Sequence, residues 1–189
     1  MIVALRTALV TLVLTGLAYP LAVTGLAQVM FRDRADGSIA VDAKGREVGS
    51  HLIGQAFAKP AYLHPRPSAV GYDAATSGGT NLATTSKKLR DERAALAAAY
   101  RTENGLAAGV ELPADAIARS ASGLDPEISP DNAALQIDRI AKSRGIAPER
   151  VRAVIEDHVE GRTLGILGEP RVNVLETNLA LDQHFGRPR

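Results

Sequence analysis

From Thr7 to Phe31 the chain runs for 25 residues without a charged side chain, bracketed by Arg6 and Arg32. As a helix rising about 1.5 Å per residue, that run spans about 37 Å, enough to cross a hydrocarbon core of about 30 Å. A cleaved secretory signal is the rival reading, with Tyr19-Pro20-Leu21-Ala22 or Gly25-Leu26-Ala27 as weak cleavage sites. Leu21 to Phe31 stays apolar beyond Pro20, which a signal does not need, so a retained anchor is favoured. Beyond it the pattern changes. Ser38 to Val41 alternates, Asp42-Ala43-Lys44-Gly45 turns, and Arg46 to Ile53 returns, which predicts a β-hairpin. Lys59 to Asn81 carries Pro60, Pro65, Pro67 and Ser77-Gly78-Gly79-Thr80-Asn81, and reads as a long irregular loop of the kind that is often functional.

Helical spacing then takes over. Thr84, Thr85 or Ser86 caps a helix over Lys87–Tyr100 that Asn104-Gly105 ends. Pro113 to Ser122 is short and mixed. Ser129-Pro130 starts a second helix, with Ala133, Ile137, Ile140 and Ala141 inward, and Gly145 stops it. A third helix begins at Pro148 and turns Val151, Val154, Ile155 and Val159 inward before Gly161. Arg171 to Leu175 alternates like a strand, and Asn178 to His184 reads as a terminal helix. The fold class expected is α+β: one N-terminal transmembrane helix, then one mixed helix/strand extramembrane domain. The boundaries are a short cytoplasmic tail at 1–6, the membrane helix at 7–31 and the domain at 32–189.

Charge and composition narrow the chemistry. The 22 Lys and Arg are nearly balanced by 21 Asp and Glu, so the footprint of nucleic-acid binding is missing. There is no cysteine, hence no disulfide, thiolate metal site or cysteine nucleophile. Aromatic residues make up 4% with no tryptophan, which disfavours stacking platforms. His51, His64, His158 and His184 are scattered without metal-ligand spacing. No Gly-x-Ser-x-Gly elbow occurs, and Asp131 and Asp138 read as solvent-facing. Ser77 to Asn81 ahead of Lys87 and Lys88 suggests a phosphate cradle, but it lacks the Walker spacing and reads better as a turn-rich loop. No Asp-Lys-Thr-Gly phosphorylation motif is present. Ser120 to Pro130 is the densest unusual stretch and reads as a structured turn capping the next helix.

Arginine placement alone, with Arg32 and Arg34 beside the membrane on the long side, favours a cytoplasmic domain. Long domains translocate largely regardless of such charge, and a very short N-terminal tail is typical of a signal-anchor, so placement outside is favoured.

Five ordered blocks follow the apolar helix: Gly49 to Gln55, His64 to Ala69, Ser77 to Leu82, Ser120 to Gln136, and Gly168 to Leu175 with Asn178 to Asp182. In this order they resemble the KdpC family, the C subunits of bacterial Kdp potassium-transporting P-type ATPases. Asn81-Leu82-Ala83-Thr84 departs from the family pattern, where a glycine–proline pair is commoner. The resemblance implies a single-pass protein of the bacterial inner membrane with the bulk of the chain periplasmic. Its partners would be a channel-like potassium-selecting subunit, an ATP-hydrolysing P-type subunit, a small accessory subunit and the lipid bilayer, with no nucleic acid. It implies a non-catalytic role with no firmly bound cofactor, and ATP only together with the hydrolysing subunit. One family account is a catalytic chaperone that assists assembly and raises ATP affinity. It centres on a glutamine matching Gln136, with Ser122, Gly123 and Asp125 in the stretch before it as further nucleotide contacts. The alternative is a periplasmic cap that stabilises the channel-like subunit and conditions ion entry without touching nucleotide. An outside domain and cytoplasmic ATP conflict directly.

Overall fold

In the computed structural model, which describes residues 1–188, one continuous helical rod covers Ile2–Met30. It consists of α1 (Ile2–Val13), a wider π-turn over Leu14–Ala18, and α2 (Tyr19–Met30). Pro20 has no N–H for the carbonyl one turn back, and its ring crowds that turn. The helix opens there, and the Tyr19 N–H bonds the Leu14 carbonyl five residues earlier. The rod begins before the charge-free run because Ile2 to Leu5 are apolar and Arg6 fits a helix. It ends at Met30, where Phe31 leaves helical geometry, and is long and apolar enough to cross a membrane. A single turn, α3 (Arg32–Ala35), follows. Chain contacts separate Met1–Ile39 from the remainder.

After α3 the chain forms a two-stranded sheet of β1 (Ile39–Val41) and β2 (Glu47–Ser50), so the expected hairpin forms, with a shorter second strand. No helix or strand occurs between Ser50 and Lys87. Next come α4 (Lys87–Asn104), α5 (Ala114–Ile117), β3 (Glu127–Ile128), α6 (Pro130–Leu135), α7 (Ile137–Arg144) and α8 (Pro148–Asp157). The chain closes with β4 (Val159–Glu160), β5 (Arg171–Asn173) and α9 (Val174–Phe185). The second sheet has the order β3-β5-β4, antiparallel throughout, with Ile128 and Val159 both opposite Val172. The fold is α+β. Its core joins Leu63 of the irregular segment to Ile137 and Ile140 of α7, Val151 and Ile155 of α8, Val172 of β5 and Leu181 of α9.

Local chemistry explains the boundaries. Ser86 Oγ accepts the Leu89 N–H, so Ser86 is the cap of α4. Ser129 Oγ accepts the Asn132 N–H, with Pro130 at the first helical position. Three expectations need correction. The helix from Ser129 to Gly145 is interrupted at Gln136, whose N–H takes the Ala133 carbonyl three residues back and tightens that turn. Val159 leaves the helical pattern and stands in β4 at the surface, because α8 stops when the His158 N–H bonds Ile155. The terminal helix starts at Val174, not Asn178, since Asn173 Oδ1 accepts the Glu176 N–H and converts the end of the strand into a helix cap.

Candidate functional site

A chain segment without a ladder must find partners elsewhere for its buried backbone groups. Lys59–Asn81 finds them in side chains. Gln136 Oε1 accepts the His64 N–H at 2.8 Å while its Nε2 donates to the His64 carbonyl at 3.1 Å. Asn178 does the same one residue earlier: Oδ1 accepts the Leu63 N–H at 2.7 Å, and Nδ2 donates to the Leu63 carbonyl at 3.0 Å. Two side-chain amides thus imitate two rungs of a β-ladder.

Arginines secure the preceding carbonyls. Arg139 Nη1 donates to Pro60 and Tyr62, its Nε to Asn104 Oδ1, and its Nη2 to Gln136 Oε1 at 2.6 Å. Burial pulls the Arg139 pKa down, against which Glu103 and Tyr100 act. Arg144, with a side chain only 3% exposed, donates to the Ala61, Leu181 and Gly186 carbonyls and pairs with Asp182 at 2.9 Å. Its guanidinium also lies 5.1 Å from the Tyr62 ring centre. Removing one member of such a set strands the others, which makes it costly to disturb.

The later half of the segment docks on Ser120 to Asp125. Arg66 pairs with Asp125 at 2.7 Å, Ser68 Oγ donates to the Gly123 carbonyl, and the Gly78 N–H bonds the Ser122 carbonyl. Gly123 has φ +71, and a Cβ there would meet Val70 Cγ2 at 2.5 Å and the Gly78 carbonyl at 2.9 Å. Only glycine satisfies both the backbone and the fit. Gly54 likewise has no room, since a Cβ would overlap the Asp125 carbonyl while its N–H bonds the Leu124 carbonyl.

Behind the amide clamp, Asp115 accepts from the Ser129 N–H and Oγ and from Asn132 Nδ2. Asn132 Oδ1 accepts from both Gln136 Nε2 and the Tyr100 hydroxyl. Burial raises the Tyr100 pKa well above its ordinary value. His64 Nδ1 lies 2.7 Å from Glu103 Oε1, and this bond holds the Glu103 carboxyl below its usual range.

The four residues singled out in the sequence therefore serve one segment. Gln136 is 1% exposed, with both polar atoms of its amide engaged within the chain. Asp125 carries Arg66, Gly123 accommodates Val70, and Ser122 Oγ bonds Ser120 and accepts the Leu124 N–H. Asp131 and Asp138 are exposed, as the helical pattern anticipated. Sequence reasoning missed Arg139, Arg144 and Asn178. The available signal was their helical phase, which sets them beside Ile140 and Leu181 on inward faces. Among the described residues, no group of three or more His, Cys, Asp or Glu could hold a metal ion.

The profile of a protein family described as KdpC, the K+-transporting ATPase c chain, matches residues 1–183. The chain belongs to the KdpC family. Among curated KdpC relatives, a potassium-transporting ATPase KdpC subunit of Myxococcus xanthus is 58% identical over 185 residues, covering 97% of this chain and 87% of that one. The like-named subunit of Caulobacter sp. (strain K31) is 55% identical, covering 92% and 88%. That of Mycobacterium tuberculosis (strain ATCC 25177 / H37Ra) is 50% identical, covering 95% and 96%. KdpC is a subunit of a multi-subunit potassium-transporting ATPase, so partner subunits are part of its function.

Proposed function

We propose that this chain is a non-catalytic accessory subunit that stands on the outer face of the inner membrane and caps the channel-like potassium-selecting subunit. The observation that carries this is the side-chain clamp on Lys59–Asn81. Gln136, Asn178, Arg139 and Arg144, with the close-fitting Gly123, hold an irregular segment in one shape, which is what a preformed docking surface requires. The cap stabilises its partner and shapes the approach of ions to it.

A nucleotide contact through Gln136 fits less well. Oε1 already accepts from His64 and Arg139, and Nε2 already donates to His64 and Asn132. Both amide protons are used, so a ribose or base edge could bond only by breaking the clamp.

The absence of native cysteine makes placement directly testable. Ser86 caps α4, so the neighbouring exposed Thr85 is the better site. Thr85→Cys in intact cells is expected to react with a membrane-impermeant thiol reagent. Protection in intact cells, with reaction after permeabilisation, would overturn the cap and return the domain to the side where ATP is found.

A further inference from the structure

Between β4 and β5 the chain leaves the body of the domain as a hairpin, and every residue from 161 to 170 is exposed. Its tip is apolar: Leu164 is 85% exposed, Ile166 74% and Leu167 57%. The loop is nevertheless built. The Thr163 N–H bonds the Leu167 carbonyl at 2.8 Å, the Leu167 N–H bonds Thr163 at 2.9 Å, and the Gly165 N–H bonds Arg162. Leu164 sits at φ +55, a conformation unusual for a bulky side chain, so backbone strain is accepted to hold a leucine outward.

Charge decides what covers this tip. Arg162 pairs with Glu169 at 2.7 Å, and Arg171 bridges Glu127 and Glu160 at 2.8 and 2.6 Å. The hairpin's own charges, Glu160, Arg162, Glu169 and Arg171, therefore sum to zero and are all ion-paired, Arg171 also with Glu127 of β3. It offers no free cation to anionic headgroups, and it lacks the tryptophan and tyrosine that mark interfacial anchors. A neutral apolar tip with a fixed shape matches a neutral apolar crevice in a protein. We propose that the Leu164–Leu167 tip is a plug that inserts into such a crevice on a partner subunit of the ATPase complex. This rests on the docking role proposed above and names a second contact for it.

The test uses the assembled complex and the full chain in detergent. Ile166→Cys is expected to react with an uncharged thiol reagent at least about tenfold more slowly in the complex than in the chain alone, as a side chain inside a protein crevice does. A photoreactive benzoylphenylalanine at Ile166 is expected to form an adduct with another subunit of the complex. Leu164→Gln with Ile166→Gln leaves the hairpin hydrogen bonds and ion pairs in place, and is expected to speed loss of the chain from the diluted complex by about tenfold or more. Equal thiol reactivity, adducts only with lipid or only with a second copy of this chain, or unchanged retention would each overturn the plug. Thr85→Cys labelling with a freely reactive Ile166→Cys would remove the plug alone. Protection of Thr85→Cys would remove the outer cap while the Ile166 measurements still reported on the crevice.

Discussion

Replacing Gln136 by leucine keeps most of the side-chain volume while deleting the amide that spans the His64 peptide. The His64 N–H and carbonyl lose their partners, and neither is exposed enough for water to replace both bonds fully. Arg139 loses one bond but keeps those to Asn104, Pro60 and Tyr62, and Asn132 Oδ1 still accepts the Tyr100 hydroxyl. An orphaned buried polar group costs about 1–3 kcal/mol, so two at a half-buried residue cost about 2–4 kcal/mol together. At about 2–4 °C per kcal/mol for a domain of this size, the midpoint should fall by about 4–16 °C. The assay is thermal unfolding of the full chain in detergent, with hydrogen exchange followed at the Leu63 and His64 amides. At a temperature where the variant stays folded, the complex carrying it should show an unchanged dependence of hydrolysis on ATP. A fall of less than about 2 °C with unchanged exchange would refute the clamp. Weakened ATP dependence without loss of stability would refute the structural role of Gln136 and favour nucleotide contact.

Three further outcomes follow from the same geometry. Gly123→Ala, which must hold φ +71 against Val70 and Gly78, should cost about 1–3 kcal/mol in denaturant unfolding and expose Ser68 to Gly79 to protease; wild-type resistance would refute the fit. Asp42 accepts from the Lys44 and Arg46 N–H groups and pairs with Arg46 and Arg187, and the Arg46 bonds chiefly hold its pKa well below the ordinary range. Its stabilisation is therefore full above the unfolded pKa near about 4 and is lost as pH falls below that, so Asp42→Asn should flatten the acid limb of midpoint against pH, with Glu103 supplying part of what remains; an unaltered limb would refute it. Tyr100→Phe should lose about 1–2 kcal/mol through the Asn132 bond. The difference in absorbance between wild type and Tyr100→Phe should show the Tyr100 phenol still neutral at a pH where free tyrosine ionises, and ordinary titration would contradict its burial.

Where local chemistry decided an element, the sequence showed it. The charge-free run gave the Ile2–Met30 rod, alternation around Asp42–Gly45 gave the hairpin, and Ser129-Pro130 and Gly145 gave the ends of the α6–α7 region. The irregularity of Lys59–Asn81 was legible too, but not its burial. A polar residue in a helical pattern is normally assigned to solvent, and that rule served Asp131 and Asp138. It gave no warning of the burial of Gln136, read in the sequence as a nucleotide contact, or of Arg139 and Asn178, because what buries them is a distant strip of backbone with no pattern of its own. Their partners are 72, 77 and 115 residues away in sequence. Asn173 misled differently: Arg171 to Leu175 alternates as a strand would, and one capping bond at Asn173 overrides its second half.

The polar character of the clamp follows from the segment it holds. Pro60, Pro65 and Pro67 cannot donate to a ladder, so a sheet is closed to this stretch. Only Ala61 and Leu63 of its apolar residues are fully buried, and hydrophobic burial by itself satisfies no backbone group. Side-chain amides and guanidinium groups solve both difficulties, because each reaches individual carbonyls at irregular spacing. Ordering a residue costs about 1–2 kcal/mol of backbone entropy, a charge that a flexible loop would meet on binding its partner. Here folding meets it beforehand. A partner subunit encounters a surface already in its bound shape, so substitutions in the clamp should weaken assembly even when they lie beneath the contact surface and never touch the partner.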